Sequence, residues 1–185
     1  MSTTADDFDH GAVRLAVLGM RTAYEWNHAI GRTVDFDEDS AGISAVNFVN
    51  WACALEERLR KTCDETAFVV GRNAHEYGRL IPGLRHVRDR HMHQVVLSVR
   101  PAFTLYGGPS RSALLAEMIW RPADEIKDAS KRWITKHPEY VAQRESYRNC
   151  LQGQPTNITL GQALHWLTGA VEARGLELPE WRWPD

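Results

Sequence analysis

Apolar residues in this chain recur at steps of four, three and four, and that rhythm constrains the fold more than any other feature. Val13, Val17, Met20 and Tyr24 follow it, as do Phe48, Ala52, Leu55 and Leu59, and again Leu160, Leu164, Leu167 and Val171. At 3.6 residues per turn, such steps keep all members on one helix face, so each stretch is an amphipathic helix that must bury its stripe against another. The fold class expected is therefore all-α, a helical bundle. The first helix is expected from near Gly11 to Ile30 and the second over about 41–63, with Ser40 as its N-cap. Two helices of similar length joined by a short polar link predict a long antiparallel hairpin. Glu56 and Glu57 precede Arg60 and Lys61 by four positions, the orientation that suits an exposed, charge-paired face.

Further along, residues 64–82 are ambiguous: Ala67 to Val70 fit either a short helix or an extended piece, and Gly71 and Gly78 interrupt whatever forms. Pro82 suits the first turn of a third helix over about 83–99, which Pro101 should end. Gly107-Gly108-Pro109-Ser110 is a turn. Around it, within residues 101–121, Phe103–Tyr106 and Met118–Trp120 can pair as a small β-hairpin, with helix over Ser112–Ile119 as the alternative. His137-Pro138-Glu139 opens a helix with Tyr140, Arg144, Tyr147 and Leu151 on one stripe, closed by Gly153. Thr159 and Gln162 have the spacing of a capping box before the last stripe, and Gly175 marks its stop. Trp181 and Trp183, among prolines, either pack down or stay irregular.

At 185 residues, 43% hydrophobic and 25% charged, the chain reads as a single globular domain over 1–185. Cys53, Cys63 and Cys150 are odd in number and widely spaced, which fits reduced thiols in a cytoplasmic protein and not a disulfide frame or a zinc site. No apolar run approaches the ~18 residues of a membrane span. The polar, acidic stretch Met1–His10 is unlike a secretory signal, so no membrane partner is expected. The net charge of −2 hides an asymmetry: Arg72 to Arg100 holds six arginines against Glu76 and Asp89, together with His75, His86, His91 and His93. Such a concentration suits an anion such as a phosphate backbone, or else a solvated helix face paired with acids elsewhere.

Within it, the segment from Gly83 to His93 carries the chemistry. Five Arg–His pairs in the chain have four to six residues between them. Requiring Asn, Asp or His directly after the arginine leaves Arg85–His91 and Arg88–His93. Arg88, followed by Asp89 and after four intervening residues by His93, resembles the R-x(4–6)-H signature of HEPN domains, in which a polar residue usually follows the arginine. The resemblance covers residues 10–100, where two longer helices precede the motif-bearing third, and leaves residues 101–185 as an insertion and C-terminal helices. The tyrosine that often stands two positions after the histidine is replaced here by Val95. On a helical wheel Arg88 lies about 40° from Leu84, on the apolar stripe, and His93 about 140° from Arg88. An unpaired guanidinium would be expensive there, so an acid from another helix, or a wet interface, is required. His91 falls about 60° from Arg88.

The resemblance implies a metal-independent endoribonuclease without cofactors, acting on RNA as a homodimer whose cleft gathers both copies of the motif. It further implies a toxin or phage-defence role, with an inhibitory partner protein. In that chemistry the substrate's own 2′-hydroxyl attacks the adjacent phosphorus. His93, with a reference pKa near 6.5, exchanges a proton. Arg88 holds the phosphoryl oxygens. Asp89 orients one of them or pairs with Arg85, and Arg85, Arg90 and His91 contact substrate. A metal site is disfavoured because His86, His91 and His93 step by five and two, unlike helical ligand sets. No G-x-S-x-G and no glycine-rich phosphate loop is present. The competing reading is a non-catalytic helical module that binds RNA, a nucleotide or a protein through its arginine-rich helix.

Overall fold

The structure, a computed structural model, describes residues 10–30, 37–91, 96–106 and 112–182. Seven helices and one two-stranded sheet occur among them: α1 (His10–Ile30), α2 (Glu38–Lys61), α3 (Glu65–Ala74), α4 (Ile81–His91), β1 (Leu97–Tyr106), β2 (Ser112–Trp120), α5 (Lys131–Lys136), α6 (Glu139–Cys150) and α7 (Thr156–Glu172). Short 3-10 turns precede α4 and follow β2. The protein is thus mainly helical with a small β-hairpin, as the periodicity predicts. No described helix is long and apolar enough to cross a membrane.

The three stripes do what their spacing requires. Val13, Val17 and Met20 of α1, Phe48, Ala52, Leu55 and Leu59 of α2, and Leu160, Leu164, Leu167 and Val171 of α7 all sit in one buried cluster. Ile81, Leu84 and Val87 of α4 and Tyr147 of α6 complete it, so the C-terminal helices share the core of the N-terminal hairpin. α4 lies against α2 on one side and α6 on the other. Gly83 allows the second contact: a Cβ there would stand 3.0 Å from the Tyr147 backbone and 2.9 Å from Leu151 Cδ1.

Several boundaries differ from expectation for local reasons. α2 starts at Glu38, and its N-cap is Asp37, not Ser40; the Asp37 carboxylate accepts from the Ser40 backbone N–H at 3.1 Å. Asp37, Glu38 and Asp39 therefore begin the helix, where negative charge meets the positive end of its dipole. The third long helix ends at His91 instead of reaching 99. Val96, Leu97 and Val99 belong to a segment rich in β-branched residues, and Leu97 onwards is strand. Pro101 interrupts no helix; it lies in β1, where the register shifts between Pro101 and Phe103, one of the places a strand tolerates a residue without an N–H. Leu97 pairs with Trp120 and Tyr106 with Ser112, so Met118–Trp120 face Leu97–Val99 and not Phe103–Tyr106. The capping box is absent: α7 begins at Thr156, and Thr159, one turn inside, accepts from Trp120 Nε1 at 2.7 Å. Trp181 packs back on α1, with its ring centroid 6.2 Å from that of Tyr24. Trp183 lies outside the described residues.

Candidate functional site

The last two turns of α4 hold most of the candidate residues, and α2 supplies the acids they need. Glu56, expected on an exposed face, is wholly buried. Its Oε1 accepts from Arg72 Nη1 of α3 at 2.8 Å, and its Oε2 accepts from Arg85 Nε at 2.9 Å and from Arg85 Nη2. Arg85 also leans on Glu57, with Nη1 3.5 Å from Oε1. Arg88 donates from Nη1 to the same Glu57 oxygen at 2.9 Å and from Nε to Asp89 Oδ1 at 3.3 Å. The compensating acid that the wheel demanded for Arg88 is therefore Glu57.

Reach differs sharply among the three arginines of this stretch. The Arg88 side chain stays 31% exposed, whereas that of Arg85 is 11% exposed. Arg90 is 6% exposed and turns to the opposite side of the helix, its guanidinium carbon 5.3 Å from the Trp133 ring centre and 5.5 Å from that of Tyr140. Its charge rests on aromatic faces, which leaves it unsuited to the substrate contact expected of it. Asp89 spends its carboxylate on Arg88, and Arg85 pairs with α2 instead of with Asp89.

His91 ends the helix, half-buried, with Nδ1 enclosed and lacking a hydrogen-bond partner. It lines a cavity of about 370 Å³ with Glu38, Asp39 and Asn47 of α2, apart from Arg88. His93 lies outside the described residues. The structure thus brings Arg85, Arg88 and Asp89 together, separates Arg90 and His91 from them, and describes one member of the Arg88–His93 pair.

Charge and protonation follow from burial. Burial disfavours the Arg88 charge, but the hydrogen bond to Glu57 and the Asp89 and Glu57 carboxylates outweigh it and raise its pKa above the ordinary value. Glu57 shows the converse: burial opposes its charge, yet the Arg88 hydrogen bond and Arg85 hold its carboxyl below the usual range. Burial pushes the Cys53 thiol up to about 12 despite Arg88 and Arg85 beside it, so it is no nucleophile. His86, on the other face of α4, is held between Tyr140 and Tyr147 with ring centroids 5.2 Å and 5.3 Å away. Burial, and then the nearby Arg90 and Arg144 charges, push its pKa down to about 4. It is a core residue.

The chain matches no family model, no curated protein and no solved structure. Its chemistry has to be read from its own side chains. Among the described residues, no group of three or more His, Cys, Asp or Glu side chains is placed to hold a metal ion. Glu57, the residue that positions Arg88, escaped the sequence reading because its i,i+4 pairing with Lys61 gave it a ready surface role.

Proposed function

We propose that this chain binds RNA and cuts it without a metal, in the manner of HEPN ribonucleases, with Arg88 and His93 as the working pair. The observation that supports it is selective exposure: the arginine of the motif is the one that reaches solvent, while Arg85 and Arg90 on the same helix are almost wholly buried. Glu57 and Asp89 fix the Arg88 fork, so it meets a phosphoryl group with little orientation left to lose. The substrate's 2′-hydroxyl forms a bond to phosphorus as the bond to the 5′-oxygen breaks. His93 exchanges the protons, and a cyclic phosphate and a free 5′-hydroxyl are left. Two copies of the chain pairing across α4 bring both motifs to one cleft. A toxin or phage-defence role restrained by a partner protein is the setting the resemblance suggests.

One observation favours the rival reading, a binding module without catalysis. The Arg88 guanidinium already holds two carboxylates, and a phosphate must share it with them. The two separate in one experiment. Purified protein and total RNA in EDTA give cyclic-phosphate ends, and Arg88→Ala and His93→Ala each abolish them. The melting temperature should move little in Arg88→Ala, because a part-exposed pair contributes about 1 kcal/mol or less. RNA retained on the protein but left intact supports the binding module; equal cutting by wild type and both variants refutes the ribonuclease.

A further inference from the structure

On the side of α4 nearer α6, a cavity of about 720 Å³ opens between α6 and the turn that joins α3 to α4. That is the size of a small-molecule site, roughly 300–1,000 Å³. Arg60, Arg72, Arg79 and Arg85 line it, and the two glutamates among its lining residues, Glu139 and Glu145, are solvent-exposed. Arginine keeps its charge at any relevant pH, and its planar fork matches phosphate oxygens.

These four cations are not equally committed. Arg60 pairs with Glu65, and Arg72 and Arg85 share the single carboxylate of Glu56. Glu57 takes up part of the Arg85 charge but is itself bonded to Arg88. Arg79 is exposed and has no carboxylate partner among the described residues. The turn nevertheless holds it in place. Ser146 Oγ of α6 donates to the Arg79 carbonyl at 2.7 Å. Gly78 lies so close to the Arg72 carbonyl that a side chain would collide with it.

The second observation is independent of charge. Gln143 of α6 is 7% exposed and lines the same cavity, and its buried Oε1 has no hydrogen-bond partner. A buried carbonyl left without a donor costs about 1–3 kcal/mol, so such groups usually meet a partner. Inorganic phosphate satisfies the arginines but offers mostly acceptors. A ligand that satisfies both walls joins a phosphate to a hydroxyl or amino group.

We propose that this cavity binds a small organophosphate, its phosphate gripped by Arg79 with Arg72 and Arg85 behind it, and its hydroxyl or amino group donating to Gln143 Oε1 as that enclosed amide turns outward to meet it. Arg88 is not among the described residues that line it, so the site stands or falls apart from RNA cleavage.

Calorimetric titration of the full chain with adenosine 5′-monophosphate, glucose 6-phosphate, inorganic phosphate and adenosine tests this. At least one organophosphate should bind about tenfold or more tighter than inorganic phosphate, and adenosine should not bind. The tighter of the two tells a nucleotide from a sugar phosphate. Arg79→Ala should weaken binding about tenfold or more without moving the melting temperature. Gln143→Met should bring the organophosphate down to the affinity of inorganic phosphate. The proposal is overturned if neither organophosphate binds at millimolar concentration, if inorganic phosphate binds as well, or if Arg79→Ala changes nothing. A site that takes only an RNA oligonucleotide overturns it as well.

Discussion

Replacing Glu56 with glutamine should destabilise the protein more than any other single change in the charged network. Glu56 has no exposed surface, and two guanidiniums from different helices converge on it, Arg72 at 2.8 Å and Arg85 at 2.9 Å through Nε. Glutamine keeps the shape but removes the charge, and its amide NH₂ turns a donor toward one of the two donors it must face. Removing one member of a buried charge cluster costs about 3–5 kcal/mol, chiefly because the opposite charges stay behind without a partner. For a chain of this size that is a fall in melting temperature of roughly 10 °C. Glu57→Gln is the internal control. The Glu57 side chain is 41% exposed and water can replace it, so its loss should cost about 1 kcal/mol or less. Urea unfolding followed by circular dichroism reads both. If Glu56→Gln falls within about 1 kcal/mol of wild type, or Glu57→Gln costs as much, then burial does not set the strength of this network and the reasoning fails.

His86 makes stability depend on pH. Its folded pKa of about 4 lies below the ordinary 6.5, so the unfolded chain binds more protons between those values, and stability falls as pH drops through that window. The loss should approach about 3 kcal/mol at pH 4, and His86→Phe should flatten that part of a denaturation series against pH. Gly83→Ala should cost about 1–3 kcal/mol by forcing α4 away from the Tyr147 backbone, visible as a lower urea midpoint; an unchanged midpoint would show that α6 yields freely.

How much of this could be read in advance depended on which physical signal each residue carried. The three apolar stripes were legible because helical burial repeats along the chain, and all three are buried. Termini were less so, since Asp37 and Ser40 are both good caps and only the geometry shows that the carboxylate accepts from the serine N–H. The end of α4 was misplaced because amphipathic spacing through Val95 and Val99 competes with the strand preference of the same β-branched residues, and pairing with β2, a tertiary effect, decided it. For the site, the arginine concentration was visible but its division was not. Arg85, Arg88 and Arg90 look alike in sequence, yet one is bound to a buried acid, one is part-exposed and one lies against two rings. A hint was available in Glu56, four residues after Ala52 and three before Leu59, which puts it on the buried stripe where a lone carboxylate demands cations. Weighing that cost above the modest gain of an i,i+4 surface pair would have predicted that two of the arginines are structural. The same weighing now directs attention to Arg79 and Arg88, whose charges solvent can reach.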